Sequence, residues 1–257
     1  MTDDYGGGDV GRELGDEPAP AWRDAPPDIL TPIDETAPVS GHVPLAATGE
    51  SASLAPENDW SAAVANLFPI LRPAGTQGLR LDEVDRAQLV ANASKAHTMP
   101  LLGDGPCGLV IAYALPATGF DVMVNGEHLL SWGVEPRAVH DAAIANLSAW
   151  SATAGWSDEV SGERRLLSSD TGTGLDAVRI LLDPVRQQLA RELGPGGRVL
   201  VGLPDRHLLM AGALRPDDAE FAALFGQYVR EDCEAADEPI DRRIFELVDG
   251  ALVEFAG

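Results

Sequence analysis

Residues 168 to 185, SSDTGTGLDAVRILLDPV, hold two patterns that do chemistry in other settings. Asp170-Thr171-Gly172 is the triplet of an acid protease, in which two carboxylates, each on a strand loop, share one proton. Gly172-x-Gly174-x-x-Ala177 matches the glycine turn that opens a dinucleotide-binding helix. A third reading needs neither reaction: acids and hydroxyls at a helix start satisfy the free amide hydrogens of the first turn with their own oxygens.

The triplet occurs once, so a protease would need a second chain to supply the partner carboxylate. Val199-Leu200-Val201-Gly202 imitates the apolar-apolar-Gly element of a retroviral-type dimer, yet the residues after the candidate loop read as helix, which an all-β protease does not tolerate there. For a dinucleotide, Asp170 and Asp176 place negative charge where the pyrophosphate would lie, and no acid ends a strand about twenty residues on. A P-loop is excluded, because the single lysine is Lys95 and no Gly-Lys-Ser/Thr exists. Structural capping is therefore the expectation, with Asp176 and Arg179, three apart on the helix, forming a direct pair worth about 0.2–0.5 kcal/mol.

Asp205, Arg206 and His207 cluster at a predicted hairpin tip, which is either a small recognition site or a solvated turn. With Asp170, Asp176 and Arg179 they are the candidate contacts for a ligand or partner. The histidines, His42, His97, His128, His140 and His207, show no metal-ligand spacing, and no Gly-x-Ser-x-Gly elbow is present. No catalytic residue, cofactor or metal is assigned. Cys107 and Cys233 match no zinc, redox or dense disulfide pattern and read as buried free thiols.

The whole chain has 257 residues, 45% of them apolar, enough for a real core. Its 41 acidic against 18 basic side chains give a formal charge of -23, which disfavours nucleic acid and anionic membranes, both polyanions. Such charge serves solubility, or a partner with a basic surface. The first ten residues are acidic where a secretory signal is basic, and no apolar run approaches a bilayer span, so a cytoplasmic location is expected.

Residues 1 to 58 carry 12 acids, 2 bases and 8 prolines with few clustered large apolar side chains, and are expected to form a disordered acidic Pro-rich tail. Residues 59 to 257 then form one domain. Asp59 caps a helix carrying Trp60, Val64, Leu67 and Phe68 that ends near Pro69, while 78 to 106 show no sustained period.

From 108 the pattern clears. GLVIAYALPATGFDVMV reads as a hairpin, Asn125 starts a short helix, and the next helix has Pro136 in its first turn with Val139, Ala143, Leu147 and Trp150 in a stripe. EVSGERRLLSS reads as a strand. The helix from Leu175 is interrupted by Pro184, predicting a kink or two short helices that share a buried face. A second hairpin turns at Pro204-Asp205, a helix from Asp217 presents Phe221, Leu224, Phe225 and Tyr228 on one side, and Asp249-Gly250 marks a two-residue turn. Hairpins with interspersed amphipathic helices predict an α+β fold on a mixed or mostly antiparallel sheet.

Four stretches also resemble the YtpQ-like family, bacterial proteins classed as a domain of unknown function. They are Leu175-Asp176-Ala177-Val178-Arg179-Ile180-Leu181, then RVLVGLPDRHLLMAGAL with DEPIDRRIFELVDGALVEF, and VIAYALPATGFDVMVNGEHLLSWGVEPRAVHDAAIANL, which contains Ala-x-x-Asn-Leu. The similarity spans about 108 to 255. It implies a cytoplasmic α+β domain with no established activity and no catalytic residue; the acidic tail and residues 59 to 107 depart from it.

The expected function is a non-catalytic binding or protein-interaction module. The alternative is a hydrolase with an acidic and arginine pocket where the 170–179 helix start meets the 204–207 turn.

Overall fold

The computed structural model describes residues 57–91, 98–117 and 120–256. The predicted tail, apart from its last two residues, lies outside them, as do His42, His97 and Lys95. The fold is α+β, with two sheets of mostly antiparallel strands.

The first sheet is built from β1 (Phe68–Arg72), β2 (Leu79–Arg80), β3 (Leu101–Asp104), β4 (Val110–Ala117) and β5 (Phe120–Met123). Its order is β1-β4-β3-β2, with β5 also pairing β4; β2 and β3 are parallel and the other pairs antiparallel. The second, fully antiparallel sheet runs β11-β10-β8-β9-β7-β6. Its strands are β6 (Ser157–Ser161), β7 (Arg164–Ser169), β8 (Arg198–Asp205), β9 (Leu208–Leu214), β10 (Ile244–Val248) and β11 (Ala251–Glu254). The helices are α1 (Trp60–Ala63), α2 (Arg86–Ala91), α3 (Gly126–Trp132), α4 (Pro136–Ser151), α5 (Asp183–Leu193) and α6 (Ala219–Ala235).

Period-two alternation sorts the core. On β8, Val199, Val201 and Leu203 join the main cluster with α4, α5 and one face of the first sheet, whereas Leu200 joins Met210, Leu214, Phe221, Phe225 and Val229 beneath α6. The two faces of the second sheet are thus covered by different helices.

Several boundaries differ from the sequence expectation. Asp59 does cap a helix, but only Trp60–Ala63 is α-helical, a 3-10 turn covers Val64–Asn66, and Pro69 lies inside β1. β1 ends the first sheet, where a missing amide donor is tolerated. EVSGERRLLSS is part of a hairpin, β6 and β7, turning at Gly162 with φ 62°. The second hairpin turns at Arg206-His207, and Pro204 stays within β8. The helix expected from Leu175 divides as predicted, into a 3-10 turn (Ala177–Leu181) and α5. Both thiols are half-buried instead of buried.

Inside the main cluster the buried Tyr113 hydroxyl shares a hydrogen bond with His140 Nδ1 at 2.8 Å. Gly103 leaves the room, since a Cβ there would stand 2.6 Å from that hydroxyl. Burial pushes the phenol well above its usual range and holds the imidazoles of His140 and His128 below theirs, with Arg137 adding to the effect at His140. An imidazole depressed in the folded state is protonated first in the unfolded chain. Its contribution to stability is therefore complete above about pH 6.5 and declines as pH falls through the folded value. Thermal melts from pH 7.5 to 5.5 are expected to show falling stability, with a shallower fall in His140→Gln; an unchanged slope would remove this pair as a cause.

Candidate functional site

The motif that suggested two reactions is a buried network. Asp176 is fully buried and accepts from the Ser169 hydroxyl at 2.5 Å, the Thr171 amide at 3.1 Å and the Thr171 hydroxyl at 2.8 Å. Gly172 and Gly174, at φ 72° and 75°, let the intervening loop fold back over this carboxylate.

Arg179, 2% exposed, lies on the far side of Ser169. Its Nη1 donates to the Ser169 hydroxyl at 2.5 Å and to the Gly155 carbonyl at 3.2 Å. Nε donates to Ser151 Oγ at 3.0 Å, and Nη2 to the carbonyls of Ser151 at 3.4 Å and Ala154 at 3.3 Å. All five guanidinium hydrogens are thereby used. The plane lies 4.3 Å from the Trp156 ring centroid, a cation–π distance.

Three of these acceptors are carbonyls at or just beyond the C-terminus of α4, where a helix carries unsatisfied oxygens and negative partial charge. Arg179 is the cation that stabilises that end. Desolvation lowers its pKa and Asp176 works against the shift; an arginine keeps its charge regardless. The expected direct Asp176–Arg179 pair is corrected: the Ser169 hydroxyl stands between them, donating to one and accepting from the other.

The loop and the 204–207 turn do meet. The Ala177 amide donates to the Arg206 carbonyl at 3.2 Å, and Arg206 Nε to the Gly174 carbonyl at 3.3 Å. A Cβ on Gly174 would lie 2.5 Å from Arg206 Nε. The guanidinium then turns to Asp121 on β5, at 2.6 Å, and to Glu238, at 3.1 Å, which also pairs with Arg72 on β1 at 3.3 Å. Burial opposes the charge of Arg206, and the Asp121 and Glu238 carboxylates more than offset it, raising its pKa. This network joins the two sheets.

The remaining candidates are dispersed. Asp170 is exposed. Asp205 accepts from the His207 amide at 2.5 Å, closing its own turn, and His207 is exposed. A cleft of about 380 Å³ opens beside Arg179, lined also by Ser148, Ser151, Ala154, Trp156 and Pro184, but not by Asp170, Asp176, Asp205 or Arg206. Among the described residues no group of His, Cys, Asp or Glu has the geometry to hold a metal ion, and no helix is long and apolar enough to cross a membrane.

Sequence reading missed Ser151, Ser169, Trp156, Asp121 and Glu238. Each is separated in the chain from the arginine it serves, so no spacing rule could find it.

No family model matches the chain, and no curated protein or solved structure matches it either. The YtpQ-like resemblance rests on the quoted residues alone.

If Arg179 holds α4 and Asp176 together, Arg179→Met leaves a buried carboxylate without its cation and should cost about 3–5 kcal/mol. In urea denaturation the Asp176→Asn/Arg179→Met double variant should lose less than the sum of the singles. Strict additivity would show that the two groups act independently.

Proposed function

We propose that this protein is a non-catalytic protein-interaction module whose partner presents a basic surface. The observation that carries the reading is the commitment of Arg179: all five of its donors end on internal acceptors, three of them backbone carbonyls around the end of α4. Asp176 and Arg206 are likewise bound within the fold. Groups that stabilise a transition state need donor or acceptor capacity aimed at the reacting atoms, and these have given theirs to the scaffold.

Charge supports the choice of partner. Most arginines of the described residues sit in ion pairs, so the acidic excess of a chain at -23 is what remains to meet another molecule. The same excess argues against nucleic acid and anionic lipid. The YtpQ-like resemblance over about 108 to 255, and a cytoplasmic location, are proposed alongside; neither brings an activity.

Two measurements on the full chain decide between module and hydrolase. Immobilised protein is expected to retain a partner at low salt and release it as ionic strength approaches 0.5 M, where the Debye length falls to about 4–5 Å. Assays against ester, phosphate-monoester, glycoside and peptide substrates are expected to show no turnover. Turnover lost on Arg206→Ala or Asp170→Asn would establish the hydrolase instead.

A further inference from the structure

The second sheet ends at β6, and α6 stops short of covering it. All five residues of β6 are exposed, and its one neighbour in the strand order is β7. On the α6 side Glu159 stands opposite Leu166, and Ser161 opposite Arg164. Beyond this edge Leu224 and the 57% exposed Tyr228 project from α6, although the helical stripe marked Tyr228 for burial. Together they line a groove of about 470 Å³ with Glu159, Leu166 and Phe221, and Arg164 and Arg165 border it as well. On the opposite face of the strand Val160 is 67% exposed.

The charges around the edge are unequal. Arg164 is neutralised by Asp218 and Glu220, both at 2.7 Å, and Arg165 by Asp158 at 2.8 Å and Glu192 at 3.1 Å. Glu159 is left as the acid in the groove without an ion-pair partner among the described residues. An edge strand offers unpaired amide and carbonyl groups to any incoming strand, and a charge upon it restricts which strands can add. Antiparallel pairing of two copies centred on this residue would set Glu159 against Glu159, which is unfavourable. An arginine or lysine from a partner fits: its aliphatic stem can lie over Leu224 and Tyr228 while its head meets the carboxylate.

We propose that β6 is the docking edge for an extended segment of a partner protein in which basic and apolar residues alternate. The segment adds as a seventh strand, its basic side chains lying in the groove toward Glu159 and its apolar ones beside Val160 on the other face. This rests on the module reading and specifies the recognition it would use.

The test uses the full chain and a fluorescein-labelled hexapeptide of alternating arginine and valine, followed by anisotropy at about 0.15 M salt. The peptide is expected to bind saturably. The same peptide N-methylated at every residue keeps its charge and bulk but loses strand hydrogen bonding, and is expected to bind at least tenfold more weakly. Glu159→Arg should weaken binding at least tenfold and Tyr228→Ser severalfold, whereas Glu83→Arg, the same charge change in an exposed turn, should leave it unchanged.

Equal binding of the methylated peptide, an unaffected Glu159→Arg variant, or no binding would each overturn the proposal. A dimer of the chain that dissociates on Glu159→Arg would assign the edge to a second copy and overturn it as well. In all these cases the module reading survives if immobilised wild-type protein still retains a salt-sensitive partner, and falls if it retains none.

Discussion

A buried guanidinium sets the terms for the middle of this fold. At the end of α4 the carbonyls of Ser148 and Trp150 accept from the amides of Ala152 and Thr153, but those of Ser151, Ala154 and Gly155 need another donor. Arg179 reaches them from a separate segment and is neutralised in turn by Asp176 through Ser169. Desolvating two charges costs several kcal/mol per ion, so the pair need not add net stability over a well-packed apolar alternative. Its effect is geometric. A carboxylate that accepts three hydrogen bonds and a guanidinium that donates five can be satisfied together in very few arrangements, and each of them fixes the loop 170–176 between β7 and the 3-10 turn.

The same loop carries a second constraint. Once Asp176 is turned inward, the backbone at Gly174 faces the 204–207 turn, and its missing Cβ lets Arg206 approach. Arg206 then spans to Asp121 in the first sheet. A stretch that resembles an active-site loop thus acts as the joint at which α4, the second sheet and the edge of the first are held in register.

The elements were readable where one period dominated. The hairpin at β4 and β5, the stripe of α4, the break at Pro184 and the turn at Asp249-Gly250 all follow from local rules, because each needs only neighbours in sequence. Pro69 and Pro204 misled for one shared reason. Pro69 reads locally as a helix end and Pro204 as part of a turn, yet each occupies a strand position whose amide is not required, and which positions those are depends on strand order. At the candidate site the expected capping is replaced by a different use of the same residues: Asp176 caps neither the 3-10 turn nor α5 and bonds back to Ser169 and Thr171, and the partners of Arg179 lie outside its local sequence. Arg179 bonds to Ser151, Ala154 and Gly155, more than twenty residues away, and nothing in their local sequence marks them as acceptors. Ala-x-x-Asn-Leu gains its meaning the same way, since Asn146 donates to the carbonyls of Val64 and Leu67 some eighty residues back.

Tyr228 makes the complementary point about function. Helical periodicity grouped it with Phe221 and Phe225, which are buried, and on an isolated helix all three do share one side. The face that α6 buries runs through Phe221, Phe225, Gly226 and Val229, and Tyr228 lies on its flank, beside the groove at β6. An aromatic ring left over a charged strand edge is costly to hydrate and keeps both an apolar face and a hydroxyl for another molecule. Where a polar motif looks reactive but has its hydrogen bonds closed, and an apolar stripe looks structural but has an open flank, the open flank is the part that can still do something.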